Sequence, residues 1–347
     1  MEPTHEGAGR PGNVAIVLAV GLVAILAFAA MAIDVGKLRL NQQQLRNVSD
    51  AASLAGAARL DGTAAGLDAA RDAAIAVAGQ NAVDGRVHAL APADVELGHL
   101  VDGAFVAGSS PPERVTAVRV RAARGDLDAW LAPVAFGIEH LAADAVSVAV
   151  SGGPFEDDCP LPVAVPSCSL PVGPGACGLD IHMSPDTNDS GAWAMLAPER
   201  ASASAVRNAL SHCSIASASN EVNLNNGAVA AALRALADEV EASTTAWDAE
   251  AWGVLPPQRE GSAIVGYGAH VLQRRLIVFD DPGACVDTKY TGAGLSIAGF
   301  AEAVVYDVTT GGDPASRGLS VRITCDTSSD PGGGGWFGVT AQPRLVE

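Results

Sequence analysis

The feature that most constrains this chain is residues 14–33, a run without a single charged side chain. About 20 residues at ~1.5 Å rise make roughly 30 Å of apolar helix, the thickness of a bilayer's hydrocarbon core. The run predicts a transmembrane helix over 14–33, behind a short cytoplasmic tail, 1–13. It is longer than the apolar part of a cleaved secretory signal, and it flows onward into a helix, which makes a cleaved signal peptide the lesser reading.

Beyond it charge appears at Asp34, Lys37, Arg39 and Arg46, yet no proline interrupts. Apolar residues return at Val35, Leu38, Leu45, Val48, Ala52 and Ala55, which is helical spacing. The span is therefore expected to leave the membrane as one long amphipathic helix. It should end near Gly56 or at Asp61 and Gly62, where glycine can adopt a capping conformation.

These residues also carry a resemblance. The elements are Gly12 and Asn13 before the apolar run, Asp34 and Gly36 at the membrane exit, then Leu45, Arg46, Asn47, Asp50, Ala51, Ala52, Leu54, Ala55 and Gly56. In that order they resemble the N-terminal segment of TadG-like proteins of the Flp/Tad (tight adherence) pilus assembly systems. The resemblance implies a structural or assembly protein of the bacterial inner membrane, whose partners are other Tad/Flp membrane proteins and the lipid bilayer. A prepilin peptidase would want glutamate five residues after its cleavage glycine; counted from Gly12, that position is Val17. Processing as an ordinary pilin subunit is not expected.

All six cysteines, Cys159, Cys168, Cys177, Cys213, Cys285 and Cys325, lie beyond residue 150. An even set in one block after a membrane anchor predicts disulfides in an oxidising compartment, although spacing does not pair them. With no C-x-x-C, zinc is a poor alternative. The cysteines and the resemblance place the amino terminus in the cytoplasm and the bulk in the periplasm or outside the cell. The positive-inside count opposes this, because Arg10 precedes the span while Lys37, Arg39 and Arg46 follow it. A long distal region can nonetheless be translocated past a few nearby charges.

The expected fold class is α+β: the anchoring helix, a small α+β module, then a disulfide-bonded, β-rich distal domain. Residues 63–81 predict a second helix with one face of small residues, Leu67, Ala70, Ala74 and Ala78, able to fold back closely on the first. Strands are expected at 95–100, 115–121 and 143–150, with Val118 and Val120 facing one way and Arg119 and Arg121 the other. A short helix is expected over 126–136, capped near Asp126. The module thus spans 34–150. Residues 151–178, rich in proline and cysteine, read as a stapled, extended connection. The rest, 179–347, reads as the β-rich domain, with helices inserted at 199–212 and 227–241 and a glycine-rich loop, 331–335, before a last strand.

Net charge is −18 and argues against a nucleic-acid or anionic-lipid surface as partner. Aromatics are only 4% of the chain, so any core is built largely from alanine and valine. Oxygen donors at Asp186, Asn188 and Ser190 before Gly191 copy half of a calcium loop, but the twelfth position is Ala197 rather than glutamate. Asp326, Ser328 and Asp330 distantly resemble the metal site of von Willebrand A domains, with too little chain after them to complete that sheet. No nucleophile elbow, Walker loop or zincin motif occurs, and His182, His212 and His270 lack suggestive partners. No catalytic residue, cofactor or metal site is therefore expected. The expected role is assembly by protein–protein contact, including self-association through small-residue helix faces. The alternative is an envelope adhesion or ligand-binding protein that shares only the anchor segment.

Overall fold

The computed structural model describes residues 12–101, 103–171, 177–183, 191–225, 230–259, 261–264, 270–281, 292–312, 316–325, 327–328, 332–337 and 340–346. Helix α1 is a single rod, Gly12–Ala57. Its Val14–Ala57 part includes an 18-residue window with mean hydropathy 2.9, none of it buried, and is long and apolar enough to cross a membrane. At Asp34 the same helix changes company. Leu45, Val48 and Ala52 are wholly or almost wholly buried, whereas Val17, Leu22 and Phe28 are bare.

A short turn reverses the chain into α2, Ala64–Ala78. Asp61 and Thr63 start it: the Asp61 carboxylate accepts from the Thr63 amide at 2.9 Å, and the Thr63 hydroxyl from the Gly66 amide at 3.0 Å. The two helices touch through the small residues expected. A Cβ added at Gly56 would stand 3.1 Å from the Ala70 carbonyl oxygen, 3.1 Å from a Val118 methyl and 3.4 Å from Ala74 Cβ. A side chain there would have to push these neighbours aside by a few tenths of an ångström, so the close approach favours glycine.

The hairpin packs on the first of two seven-stranded sheets. Across it run Thr327–Ser328, Thr340–Val346, His140–Pro154, Ala117–Asp128, Val95–Val101 and Ala104–Ala107, while Gly332–Gly334 also pairs with 140–154. Val118 and Val120 are buried in the core with Leu45 and Ala52, and Arg121 on the other face is exposed. Strands 117–128 and 140–154 form a long antiparallel hairpin. The helix expected over 126–136 is corrected here. Strand 117–128 absorbs Asp126, because Leu127 still pairs with Leu141, and only Ala132–Phe136 is helical (α3).

The second sheet runs Glu221–Asn225, Ala192–Leu196, Leu161–Pro166, Leu272–Phe279, Gly292–Thr309, Gly318–Ile323 and Asp180–Met183. Helices α4, Ala203–Ser211, and α5, Ala230–Ala242, join its core through Val206, Leu210, Leu233 and Leu236. The stretch read as a connection is more than that. Leu161–Pro166 is extended, as its prolines demand, but it is fully buried, parallel to 272–279 and antiparallel to 192–196. Pro162 is tolerated inside a sheet because the ladder slips a register between Leu276 and Ile277, beside it.

The carboxyl-terminal segment departs from expectation too. Instead of finishing the second sheet, strand 340–346 returns to pair with 140–154 in the first. Trp336 is buried in the first core, and its indole N–H donates to the Val115 carbonyl at 2.9 Å.

Disulfides Cys159–Cys213 and Cys177–Cys325 tie the second region together, and Cys168 is disulfide-bonded as well. Cys285, the candidate calcium donors Asp186 to Ser190, and Asp326 and Asp330 lie outside the described residues, whereas Ser328 falls in the short strand 327–328.

Candidate functional site

The motif residues of α1 fall into two groups once the fold is in view. The first group holds the helix to the module. Asp34 is 5% exposed, and its carboxylate accepts from three successive amides: Trp130 at 2.8 Å, Leu131 at 3.1 Å and Ala132 at 2.5 Å. These amides open α3, whose own cap position, Leu131, has no side chain able to serve. The cap comes from another element, 98 positions upstream of Ala132. Burial alone would raise the Asp34 pKa; the three amides and nearby Lys37 outweigh it and hold the carboxyl below its ordinary 3.8.

One turn on, the Lys37 ammonium donates to the Asp128 carbonyl at 2.8 Å and pairs with Asp84 at 3.3 Å. It also stands 4.9 Å from the centre of the Trp130 ring, a cation–π contact. Further along, the Gln44 side-chain oxygen accepts from the Asp84 amide at 2.9 Å. Ser49 and Ser147 meet hydroxyl to hydroxyl at 2.8 Å, and Ser147 also donates to the Asp50 carboxylate. Ser49 and Asp50 thus fix the register of α1 against strand 140–154, while Lys37 and Gln44 hold it to Asp128 and to the turn at Asp84. Leu45, Val48, Ala52 and Gly56 supply its apolar seal, while Ala51, Leu54 and Ala55 are half-buried beside them.

The second group is left outside. Gly36 is exposed, and a Cβ there would meet nothing within 4 Å. Arg46 is exposed, as is Asn47, whose side-chain oxygen accepts from neighbouring Gln43 at 3.2 Å. Gly12 and Asn13 begin α1. Among the described residues nothing in the folded body explains Gly36, Arg46 or Asn47, so their chemistry is free to meet something else.

Residues 12–59 match the Tad family model, the TadE/G-like segment of Flp pilus assembly. The segment is TadE/G-like. Neither a curated protein nor a solved structure matches the chain. The matched TadE/G-like stretch covers the apolar half of α1 and the buried half together, ending two residues past the helix.

Sequence reasoning missed the receiving half of this junction. Trp130, Asp128 and Ser147 carry no motif of their own; the one available signal was the uncharged run 130–138, WLAPVAFGI. It also missed His88, a buried histidine whose two ring nitrogens have no partner among the described residues. Loss of water, with Arg124 nearby, lowers the pKa of His88. The three histidines weighed from sequence are not brought together: His182 contacts Ser320 at 2.9 Å, His212 sits beside Ser211 at 3.1 Å, and the strand bridge of His270 is to Ala246. Burial takes His182 down to about 4, so it is neutral at physiological pH.

Proposed function

We propose that this chain is a single-pass, membrane-anchored assembly component of a Flp/Tad-type pilus or a related envelope apparatus, acting by protein–protein contact. The observation that carries the reading is the division of α1. Within one TadE/G-like helix, an unpartnered apolar half meets a half locked into a folded body by Asp34, Lys37 and Ser49. An anchor joined to its cargo without a break in helix transmits orientation as well as attachment. The amino terminus is cytoplasmic and the bulk is periplasmic or extracellular; disulfides 159–213 and 177–325 support that side, since thiols stay reduced in the cytosol.

The partners are other membrane proteins of the assembly system, with self-association through the small-residue face Gly21, Ala24, Ala27 and Ala30 as part of the same chemistry. In lipid, such residues let helix backbones approach where the hydrophobic effect gives no drive. Ala24→Leu with Ala27→Leu should preserve insertion and abundance while abolishing crosslinks from the span to other assembly subunits. Paired changes at Leu22 and Phe28 should be tolerated. Unchanged crosslinking in the first pair moves the contact to the folded body, and capture of no assembly subunit in any background overturns the reading in favour of an adhesion protein. Alkaline phosphatase fused to the carboxyl terminus should be active; an inactive fusion, with an active cytoplasmic reporter at the same site, reverses the orientation.

A further inference from the structure

The hairpin of strands 117–128 and 140–154 lies along the lower half of α1, with Ser147 at Ser49 and the tip at Asp34. That tip therefore reaches the level at which the apolar part of α1 ends. From Trp130 to Ile138 it has no charged side chain. Its large apolar residues are also bare: Trp130 is 65% exposed, Val134 89%, Phe136 53% and Ile138 46%. A contiguous apolar group of this kind on a surface marks a contact.

Its place says with what. Ala132 is bonded to the Asp34 carboxylate at 2.5 Å, and Ile33, the last residue of the uncharged span, adjoins Asp34. Val134 is two residues from Ala132, so its Cα lies within about 7 Å of the Cα of that anchored residue. Tryptophan next to a cation, here Trp130 under Lys37, suits the headgroup level, where an aromatic body is apolar and its surroundings are wet. At the rim Arg86 is shared between Asp128 at 3.0 Å and Asp126 at 3.5 Å, and Glu139 is exposed, so the contact rests on apolar burial rather than on attraction to anionic headgroups.

We propose that the tip, residues 130–138, is a second membrane contact: it seats Trp130, Val134 and Phe136 in the headgroup and upper acyl region beside the point where α1 leaves the bilayer. The proposal rests on the membrane-anchored reading above. A rod crossing a bilayer can tilt and turn; a second foothold, clamped to the rod by Asp34, fixes the azimuth of the folded body. The lipid then acts as a third element of the junction.

The test uses the oxidised full chain in nanodiscs of phosphatidylethanolamine and phosphatidylglycerol. Single substitutions Val134→Cys, Leu22→Cys and Val254→Cys are labelled with an environment-sensitive fluorophore without reductant. Val254 is 82% exposed, like Val134, but belongs to the distal region. A tip seated roughly 5–10 Å deep should be quenched by lipid carrying a nitroxide on its upper acyl chain, at least about half as strongly as Leu22, with Val254 unaffected. If Leu22 is quenched and Val134 behaves like Val254, the second contact is wrong and the anchor stands. A blue-shifted Val134 probe that lipid does not quench also overturns the proposal, because protein then covers the tip. If Leu22 is not quenched either, the anchored reading falls with it.

Discussion

The Asp34 carboxylate accepts the amide hydrogen of Ala132 at 2.5 Å, so the helix that opens at Ala132 is capped by a residue 98 positions before it. The first prediction follows from this pairing. Asp34→Ala leaves the amides of residues 130–132 without their acceptor, and should lower the melting temperature of the full chain in detergent at neutral pH. Because the folded pKa lies below the ordinary 3.8, this stabilisation is complete above that value and fades as pH falls through the lower, folded one. The gap between wild type and Asp34→Ala should therefore close in strong acid. A gap that is unchanged there would mean that the carboxylate's charge is not what holds the tip.

The second prediction separates the two motif glycines. Gly56→Val forces a side chain against the Ala70 carbonyl and Val118, and should cost about 1–3 kcal/mol in chemical denaturation. Gly36→Ala meets open space and should be neutral, or stabilise by up to about 1 kcal/mol through helix propensity. Gly36→Leu should leave stability intact yet reduce recovery of assembly partners, which would place the partner surface at the membrane exit.

Disulfide removal gives the third. The bonds separate residues 54 and 148 positions apart, and in the chain-entropy account the longer loop gains more, about 5 against about 4 kcal/mol as upper values. Cys177→Ser with Cys325→Ser should therefore lower the denaturation midpoint more than Cys159→Ser with Cys213→Ser. The reverse order would show that strain or residual unfolded structure dominates. Thiol trapping of unreduced, denatured protein should find none of these four cysteines reactive.

The fourth concerns the carboxyl-terminal return. Trp336→Phe keeps most of the ring volume but leaves the buried Val115 carbonyl without its indole donor, an expected loss of about 1–3 kcal/mol. The cost should appear as lowered stability of the first sheet, read by hydrogen exchange in strand 117–128. Unaltered exchange there would detach Trp336 from that core.

Helices α1 and α2 and the strand about Val118 were legible because their patterns are local. The 3.6 period of Leu45, Val48 and Ala52, the alanine face of α2 and the alternation about Val118 each follow from one element buried on one side. What was not legible depends on partners far along the chain. Leu161–Pro166 looked like a linker because proline usually argues against an inner strand, and only the register slip opposite Leu276 makes room for it. Asp126 looked like a helix cap because the true cap, Asp34, is supplied through space. Within the candidate site, the sequence motif named Asp34 and Asp50 but not Lys37, Gln44 or Ser49, and it could not name Trp130, Asp128 or Ser147.

Strand 340–346 pairs with 140–154, and this sets an order in time. A ribosome delivers the amino end first, so α1, α2 and the strands from 95 to 154 all emerge before the segment that completes their sheet. Until residues 340–346 arrive, one side of strand 140–154 presents unpaired amides and carbonyls, an edge that other chains can extend. A chain cut short anywhere after residue 154 keeps its anchor and most of its first core but retains that open side. The intact molecule thus differs from its fragments along Val148–Gly152, beside Ser49 and on the far side of the hairpin from the membrane exit, where a protease can reach an unfinished edge.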